Sequence, residues 1–335
     1  MQVEAKSRGE NDKTVARALW FEAAGAAAMR EEPLQPLAPG AARVRTLWSM
    51  ISRGTERLVF NGEVPASVAA EMRAPLQQGD FGFPVKYGYC AVGRVEAGPV
   101  EQLGKCVFVL HPHQDVFDAP VGMLTEIPAN IPPRRATLAA NMETALNALW
   151  DSGAGPGDRI AVVGAGVVGL LVAGLAARLP GAEVTVIDVA EERRAAVERN
   201  GARFHRAGEA AGMGADIVFH TSASGAGLAT ALACAGFEAT LVEMSWYGAR
   251  GVTAPLGDGF HSRRLKLVSS QVGQVSPSRR PRWSHARRLA KALELLDDAR
   301  LDALITDEVA LVDLPARMPA ILAPQAAGLA TVVRY

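Results

Sequence analysis

The chain has little cysteine and no net charge. Its 335 residues include only three cysteines, Cys90, Cys106 and Cys234, which lie far apart in the sequence. This spacing argues against a disulfide scaffold and against a structural zinc knot, and it is typical of a reducing compartment. The 35 basic residues balance the 35 acidic ones, so the molecule as a whole is not suited to binding a polyanion.

The sequence also lacks a long uninterrupted apolar segment. Its most apolar run, residues 160–179, contains glycines at positions 164, 166, 169 and 174, and we expect no membrane span from it. Residues 1–14 are polar and lack the apolar core of a signal peptide, so we expect a disordered tail there and a cytoplasmic protein. Apolar residues make up 49% of the chain, enough for one large or two ordinary domains.

A glycine-rich turn is the strongest motif in the chain. It follows the apolar segment Ile160–Val163 and places Gly164, Gly166 and Gly169 in the spacing G-x-G-x-x-G. In dinucleotide-binding folds the first glycine allows a sharp turn, the second lets the backbone approach a pyrophosphate, and the third lets the helix pack close to the sheet. Val167 and Val168 would begin that helix, whose free N–H groups attract phosphate charge.

Asp188 completes this motif. It lies 19 residues after Gly169, at the end of the next expected strand, where a carboxylate can accept hydrogen bonds from both ribose hydroxyls. A carboxylate also repels a 2′-phosphate, so we expect NAD(H) as the cofactor. Arg193 and Arg194 follow a few residues later and leave NADP(H) open as an alternative.

The pattern of elements changes near residue 140. Before it the chain is β-rich, with one amphipathic helix expected around Ala66–Arg73. After it strands and helices alternate, which predicts a parallel sheet covered by helices on both faces. We expect the last strand, Ala330–Arg334, to rejoin the β-rich part. The sequence thus predicts an α/β fold with a β-rich domain of residues 15–139 plus 308–335 and a nucleotide domain of residues 140–307.

The expected elements have the following bounds. Strands of the β-rich part are 16–20, 43–48, 90–96, 105–110, 124–127, 308–311 and 330–334. Strands of the parallel sheet are 159–163, 183–188, 216–220, 239–244 and 265–269. The helices after residue 140 are 166–178, 191–200, 228–233, 284–297 and 314–322.

Three further segments resemble the medium-chain dehydrogenase/reductase superfamily, the alcohol-dehydrogenase-like enzymes. Residues 49–56 (SMISRGTE) and 86–95 (KYGYCAVGRV) are similar to its two active-site loops, and residues 141–149 (NMETALNAL) to the helix that joins its domains. The resemblance runs from about Val15 to Tyr335. It implies a Rossmann domain inserted into a GroES-like catalytic domain, and a homodimer that pairs edge strands near residues 265–272.

The chain departs from the zinc-binding members of that family at the ligand positions. Arg53 stands where the first loop carries a cysteine, Tyr89 where the second carries a histidine, and no ligand residue matches near Ala140. A catalytic zinc needs three protein ligands, so the resemblance implies a zinc-independent enzyme with no metal site. His111 and His113 form a close pair, but they have no third ligand nearby and are expected to shape a loop or contact substrate.

These departures suggest which residues carry the chemistry, because without zinc hydrogen-bond donors or cations must polarise the carbonyl oxygen. The candidate catalytic residues are Ser52, Arg53, Tyr89 and Glu143. Tyr89 is either a proton donor, aided by a cation such as Lys86, or an aromatic that fills the old metal site. Arg53 either holds an anion or pairs with Glu56 or Glu143.

Further cofactor contacts are expected from the joining helix and from the carboxyl ends of the later strands. Thr144 matches a position that faces the nicotinamide in the family, unless it bonds its own helix backbone. The candidates that follow the later strands are Thr221, Ser222, Ser245 and Ser270, which alternatively are plain turn residues.

A basic run lies between residues 251 and 290, with one acid, Asp258. Its basic members are Arg263, Arg264, Lys266, Arg279, Arg280, Arg282, Arg287 and Arg288. They form either a solvated face balanced by acids elsewhere or a positive rim that attracts an anionic substrate. Nucleic acid is disfavoured, since the run has little aromatic interleaving apart from Trp283 and the chain is neutral overall.

These features predict an NAD(H)-dependent oxidoreductase that interconverts an alcohol and a carbonyl on a fairly large or anionic small molecule. The two loops are most similar to a zinc-lacking branch that includes the dehydrogenase acting on the hydroxyethyl group of bacteriochlorophyllides, but they describe the loops and not the substrate pocket. The alternatives are an NAD(P)H-dependent quinone or enone reductase and a non-catalytic nucleotide-sensing protein, because fold alone does not establish activity.

Overall fold

The computed structural model describes residues 15–335, and the expected tail of residues 1–14 lies outside this range. Two sheets dominate the first 130 residues. Their strands are β1 (Val15–Ala23), β2 (Ala26–Pro33), β3 (Ala41–Ile51), β4 (Gln78–Gly79), β5 (Val85–Lys86), β6 (Ala91–Ala97), β7 (Cys106–Val109), β8 (Val116–Pro120) and β9 (Thr125–Glu126). A four-stranded sheet has the order β2-β1-β5-β4. The other sheet is built around β3, which pairs with both β6 and β8.

A parallel sheet of six strands follows. Its strands are β10 (Arg159–Val163), β11 (Glu183–Asp188), β12 (Arg203–Arg206), β13 (Ala215–His220), β14 (Ala235–Glu243) and β15 (Lys266–Ser269). Their order across the sheet is β12-β11-β10-β13-β14-β15, and neighbouring strands are parallel throughout. The order reverses between β10 and β13, which is the switch point where open α/β sheets bind ligands. This confirms the predicted doubly wound sheet.

The chain then returns to the β-rich part through β16 (Ile305–Ala310) and β17 (Ala330–Arg334). β17 pairs antiparallel with β3, with Val332 opposite Met50, so the last strand closes the seven-stranded sheet as predicted. β16 begins three residues before the expected domain boundary at residue 308. The domain limits themselves stay a prediction.

Nine α-helices lie within residues 15–335. They are α1 (Arg53–Phe60), α2 (Pro133–Ala136), α3 (Ala139–Ser152), α4 (Val167–Ala176), α5 (Arg194–Arg199), α6 (Gly225–Cys234), α7 (Gly259–Ser262), α8 (His285–Glu294) and α9 (Leu314–Ile321). α3 packs against α4 and α8. One apolar cluster continues from Met50 and Val92 of the β-rich sheet through α3 to Val162 and Leu293. In this part of the chain no helix is both long and apolar enough to cross a membrane.

The helix expected around Ala66–Arg73 is wrong. Only Ala66–Val68 form a single 3-10 turn, and the following residues are turns with little buried surface. A short amphipathic pattern needs an apolar surface to pack on, and Pro75 ends this segment soon after. The helix of this region is instead α1, in a segment that the sequence predicts as a loop. α1 is stable there because Leu58, Val59 and Phe60 are buried.

Five strands lack a matching sequence prediction: β2, β4, β5, β8 and β12. β2 carries Arg30, Glu31 and Glu32. The exposure of its residues alternates only weakly along the strand, because none of them is fully buried. β12 is a four-residue edge strand. Short or exposed edge strands lack the apolar alternation on which such predictions depend.

Gly169 sets the distance between α4 and β10. A Cβ atom there would lie 1.9 Å from the Gly164 carbonyl oxygen and 2.7 Å from Thr221 Oγ1. Both obstacles are held in place, one by the backbone of the glycine turn and the other by its hydrogen bonds to that turn. The third glycine of the motif therefore serves helix–strand packing, as the sequence predicts.

We expect Gly169→Ala to lower the free energy of unfolding by at least about 1–3 kcal/mol, because the added methyl group must displace backbone. Gly166→Ala is the matched control, since a Cβ at that position meets no atom within 4 Å. We expect its unfolding free energy to stay within about 0.5 kcal/mol of the wild type. Urea denaturation followed by circular dichroism measures both, and equal midpoints for the two variants would contradict this packing role.

Candidate active site

The glycine turn lies at the carboxyl end of β10, at the switch point of the parallel sheet. Gly164 has a φ of +111°, and a Cβ there would come within 2.9 Å of the Ser222 amide nitrogen. Gly166 caps α4 with an extended backbone and open space around its Cβ position. The start of α4 at Val167 and Val168 is thus open on the side of Gly166, the arrangement in which helix N-termini receive phosphates.

Asp188 is fixed beside this turn. Its carboxylate accepts hydrogen bonds from the Ala165 amide at 2.5 Å and from the Ala190 amide at 2.8 Å. Arg194 pairs with Glu191 at 2.6 Å, and Arg193 donates to the Gly328 carbonyl at 2.7 Å. Both arginines therefore already have partners, while the acid faces the turn.

The polar residues after the later strands have different roles. Thr221 Oγ1 lies 3.1 Å from the Val163 carbonyl and 3.0 Å from the Gly164 carbonyl, so it braces the glycine turn. Ser245 Oγ accepts a hydrogen bond from the Ala223 amide at 3.1 Å and holds the two loops together. Ser270 Oγ instead donates to Asp151 of α3 at 2.7 Å. The structure thus brings Thr221 to the glycine turn, places Ser245 against the loop after β13, and directs the side chain of Ser270 to α3.

Two candidates lie on α3. Thr144 Oγ1 donates to the Ala140 carbonyl at 2.9 Å. Of the two expectations for Thr144, the structure thus shows the hydrogen bond to its own helix backbone. Glu143 accepts from Arg288 Nε at 3.0 Å, and both side chains are buried. The expected pair between Glu143 and Arg53 is therefore wrong, because α8 brings Arg288 against α3. Burial raises the pKa of Glu143 above its ordinary value, although the charge of Arg288 opposes this.

Arg53 contacts the segment that precedes β17. Its guanidinium donates to the carbonyls of Ala326, Ala327 and Gly328 at 3.3, 2.8 and 3.1 Å. The expected pair with Glu56 is also wrong, since the carboxylate of Glu56 bonds elsewhere. Arg53 anchors the connection between α9 and β17.

The surroundings of Arg53 are positively charged. Burial lowers its pKa, and the charges of Arg193 and Arg57 lower it further. Its Nε atom is buried with no hydrogen-bond partner among residues 15–335. A cavity of about 360 Å³ adjoins the side chain and is also lined by Asp307 and Arg317. This arrangement suits an anion better than a metal ion.

Tyr89 lies between the first loop and the core. Its hydroxyl faces the hydroxyls of Ser52 and Thr55, and burial raises its pKa well above the ordinary value. The phenol is therefore neutral at physiological pH and serves as a hydrogen-bond donor. Lys86 does not assist it, contrary to expectation, because the buried ammonium bonds Glu32 and Gln114 at 2.7 Å each.

A buried polar chain supports this loop from behind. Glu56 accepts from the Ser52 amide at 2.7 Å and lies 3.1 Å from His113 Nε2. His113 Nδ1 lies 2.7 Å from Ser49 Oγ, which in turn lies 2.9 Å from the Tyr335 hydroxyl. Ser52 and α1 are thus held from β3 and from the last residue of the chain. From the sequence, Glu56 is expected only as a partner for Arg53, and this series of hydrogen bonds is not predicted.

His111 is not part of that chain. Its ring stacks on Phe117 with centroids 3.7 Å apart, and Nδ1 donates to the Pro112 carbonyl at 2.9 Å. Burial lowers its pKa to about 3, so the ring is neutral. The histidine pair therefore splits into one stacked ring and one hydrogen-bonded ring.

The residues in the three ligand places do not fit a zinc ion. Arg53 is a cation, the phenol of Tyr89 stays protonated, and Ala140 has no donor atom. Cys90 follows Tyr89, but burial raises the pKa of its thiol far above the ordinary value, and zinc binds the thiolate. Among the described residues, no group of three His, Cys, Asp or Glu side chains is arranged to hold a metal.

A cluster that sequence reasoning missed lies at the carboxyl ends of β13 and β14. The sequence places His220 in the segment 220–222, one of those expected to line the cofactor, but does not pair it with Glu243. In the structure its Nδ1 lies 2.7 Å from Glu243 Oε2 and its Nε2 lies 2.7 Å from Ser222 Oγ. The Tyr247 hydroxyl donates to Glu243 Oε2 at 3.0 Å. Polar residues that end two adjacent parallel strands were the available signal, because such ends meet at one edge of the sheet.

The basic run does not form one continuous positive rim. Arg288 is buried against Glu143, and Arg264 pairs with Glu238 at 2.8 Å on the surface. Arg287 and Arg279 lie over the rings of Trp283 and Trp150, which pack against each other with centroids 4.8 Å apart. Part of the run is thus structural, and two of its arginines, Arg279 and Arg287, lie against an aromatic pair.

Comparison with known proteins shows the fold. The crystal structure of an alcohol dehydrogenase (rspB) from Escherichia coli CFT073, described as short-chain and complexed with NADH, has a TM-score of 0.77 and 15% identity, covering 96% of this chain and 100% of that one. The 2R,3R-butanediol dehydrogenase of Bacillus subtilis has a TM-score of 0.75 and 17% identity, covering 96% and 99%. L-idonate 5-dehydrogenase of E. coli K-12 has a TM-score of 0.77 and 13% identity, with the same coverage.

Sequence comparison covers less of the chain. No family model matches it. Over 80 residues it is 38% identical to an uncharacterised zinc-type alcohol dehydrogenase-like protein from Haemophilus influenzae, a match that spans 24% of this chain and 23% of that protein. Taken together, the comparisons show that this chain has the alcohol-dehydrogenase-like fold.

The buried pair of Arg288 and Glu143 gives a test of how the basic run is anchored. We expect Arg288→Met to lower the free energy of unfolding by about 3–5 kcal/mol, because it leaves Glu143 buried without its partner. Arg282→Met, at an exposed position of the same run, should change it by less than about 0.5 kcal/mol. Chemical denaturation measures the unfolding free energy of both variants. An equally small loss for the two would show that the basic run is a solvated face throughout.

Proposed function

We propose that this protein is an NAD(H)-dependent oxidoreductase that interconverts an alcohol and a carbonyl without a zinc ion in the three ligand places. The observation that carries this proposal is the open cradle at Gly166 beside the anchored carboxylate of Asp188. The fold shared with the dehydrogenases named above supports it, as does the NADH in one of those structures. The substrate is a small molecule, and the arginines near residue 53 favour an anionic one.

The residues at the turn fit a dinucleotide. A side chain at residue 166 would extend into the space that a pyrophosphate needs, and the N-terminus of α4 at Val167 and Val168 provides N–H groups for it. Asp188 provides acceptors for ribose hydroxyls. The bound nicotinamide supplies hydride chemistry, and the protein supplies orientation and proton handling.

Asp188 and the paired state of Arg194 favour NAD(H) over NADP(H). The carboxylate repels a 2′-phosphate, and Glu191 already neutralises Arg194. We expect NADH to bind at least about tenfold more tightly than NADPH, a difference of about 1.4 kcal/mol. Asp188→Ala should weaken the binding of NADH and reduce the preference for NADH over NADPH. Nicotinamide fluorescence titration measures both affinities, and equal binding of NADPH by the wild type would contradict the assignment.

Tyr89 is the group proposed to orient the substrate oxygen. Because its phenol stays neutral, it can donate a hydrogen bond to a carbonyl or to a developing alkoxide. The hydroxyls of Ser52 and Thr55 face the phenol oxygen from the first loop. Arg53, with its guanidinium on the backbone carbonyls before β17, is proposed to hold an anionic part of cofactor or substrate.

We expect Tyr89→Phe to lower kcat by about 10²–10³-fold while NADH affinity stays unchanged, because loss of one oxyanion donor acts on the transition state. The neighbouring Tyr87→Phe is the matched control, since its ring packs edge-on against Tyr89 at 5.9 Å. Steady-state kinetics on a panel of aldehydes, ketones and alcohols measures this. If Tyr89→Phe keeps wild-type kcat on the best substrate, Tyr89 only fills space. Binding of NADH without turnover on any substrate would favour a sensor.

A homodimer is part of the proposal. β15 is the edge strand of the parallel sheet, and Leu267 on it is 42% exposed. An edge strand with an exposed apolar side chain is a natural pairing surface. A symmetric partner would pair β15 with its own copy across a two-fold axis.

A further inference from the structure

The cluster at the ends of β13 and β14 connects an exposed hydroxyl to a buried imidazole. Ser222 is exposed at the carboxyl edge of the sheet, whereas the side chain of His220 is fully buried beneath it. Ser222 Oγ lies 2.7 Å from His220 Nε2, and His220 Nδ1 lies 2.7 Å from Glu243. These three side chains form a continuous path from the ligand edge to a partly buried carboxylate.

The hydrogen bonds around Glu243 determine which ring nitrogen of His220 carries the proton. Glu243 Oε1 accepts from the Ser245 amide at 2.8 Å, and Oε2 accepts from His220 and from the Tyr247 hydroxyl. Burial alone would raise the pKa of Glu243, but the hydrogen bonds of His220 and Ser245 hold it below the ordinary value. The carboxylate therefore stays charged and must accept, so His220 carries its proton on Nδ1. Nε2 of the neutral ring is then free to accept the Ser222 hydroxyl proton.

The place of Ser222 in the fold puts this path at the ligand. A Cβ on Gly164 would lie 2.9 Å from the Ser222 amide, so Ser222 adjoins the first glycine of the turn. The loop that follows Tyr247 reaches the β-rich part, where the Ala249 amide donates to the Glu63 carbonyl at 3.0 Å. Ser222 thus lies beside the glycine turn, and the loop after Tyr247, whose phenol faces His220, contacts the β-rich part.

Other ionisable groups near that edge are poorly suited to hold a proton in turnover. The phenol of Tyr89 and the thiol of Cys90 have raised pKa values and do not release a proton at neutral pH. His111 is stacked and neutral, and His113 is enclosed between Ser49 and Glu56. His220 alone among these groups is joined to the ligand edge through an exposed hydroxyl.

We propose that Ser222 and His220, oriented by Glu243, form the proton path that serves the hydride reaction. This inference rests on the proposed function. A bound nicotinamide would supply the hydride chemistry of alcohol oxidation. Ser222 Oγ would take the hydroxyl proton of the alcohol as its own proton moves to His220 Nε2. Glu243 stabilises the resulting imidazolium. In carbonyl reduction the same proton returns along the path, and exchange with water restores the starting state.

Three groups face the His220 ring. They are the Glu243 carboxylate, the Tyr247 phenol, and the hydroxyl of Ser222, which also contacts Ser224 Oγ at 3.0 Å. Arg250 adds a positive charge near Tyr247. In alcohol oxidation the path needs the unprotonated ring, because Nε2 has to accept the proton of Ser222.

The first test needs no cofactor. Long-range ¹H–¹⁵N spectra of the full-length protein, labelled at its six histidines, are recorded across pH, and His220 is assigned from the spectrum of His220→Gln. We expect the neutral ring to carry its proton on Nδ1 and to take up the second proton at Nε2. A neutral ring protonated at Nε2 would overturn the path, because Nε2 could not then accept from Ser222.

The second test follows the path in turnover. We expect Ser222→Ala and His220→Gln each to lower kcat by about 10²–10⁴-fold, the usual contribution of general acid–base catalysis. Both should change the shape of the pH profile of kcat, whereas the Kd of NADH measured by fluorescence should not change. Loss of NADH binding in step with kcat would show a structural role only and would overturn the proposal.

Matched controls separate the possible failures. His261→Gln changes an exposed histidine, and Thr230→Ala removes a hydroxyl on α6 that bonds its own helix backbone. Both should keep the wild-type pH profile. A Ser222→Ala variant that also keeps it would overturn the proposal. A wild-type protein that binds no NADH would instead overturn the proposed function. The histidine spectra would still show which ring nitrogen of His220 carries the proton.

Discussion

The close contact of Gly169 with the Gly164 carbonyl is the constraint on which the carboxyl edge of the parallel sheet depends. It lets α4 lie against β10, and Thr221 Oγ1 fits into the same contact from β13. The turn, the start of α4 and the end of β13 are therefore one packed unit. Asp188 joins it through the Ala165 amide. A ligand at this edge meets a surface that is already formed.

The β-rich part shows how the polar groups near the ligand places are satisfied without a metal ion. Glu56 would be a costly buried charge on its own, but the Ser52 amide and His113 bond it, and Ser49 and Tyr335 extend the chain. The two terminal nitrogens of Arg53 donate to backbone carbonyls, while its Nε atom has no hydrogen-bond partner among residues 15–335. Glu56 is therefore fully engaged within the protein, whereas Arg53 keeps one donor for a ligand.

The sequence was a good guide where local pattern decides the structure. The strands at 159–163 and 183–188 and the closure by Ala330–Arg334 follow from apolar runs and glycine spacing, and all are observed. Side-chain partners were predicted poorly: Glu143 bonds Arg288, 145 residues away, and His113 bonds Glu56, 57 residues away. Such pairs depend on how α3, α8 and the loops pack, which no local pattern encodes. The helix α1 was missed because an expected loop outweighed its three buried apolar residues.

Tyr89 and His220 are suited to different halves of the same reaction. A donor that orients an oxygen works best when it keeps its proton, and burial gives Tyr89 that property. A group that stores a proton must change charge, which burial opposes unless a fixed counter-charge is present. Glu243 provides that counter-charge to His220, and Ser222 connects the ring to the ligand edge without exposing it to water. A zinc-bound water would combine both tasks in one ion. In the mechanism proposed for this protein the two tasks are divided, with the donor in the β-rich part and the proton store in the parallel sheet.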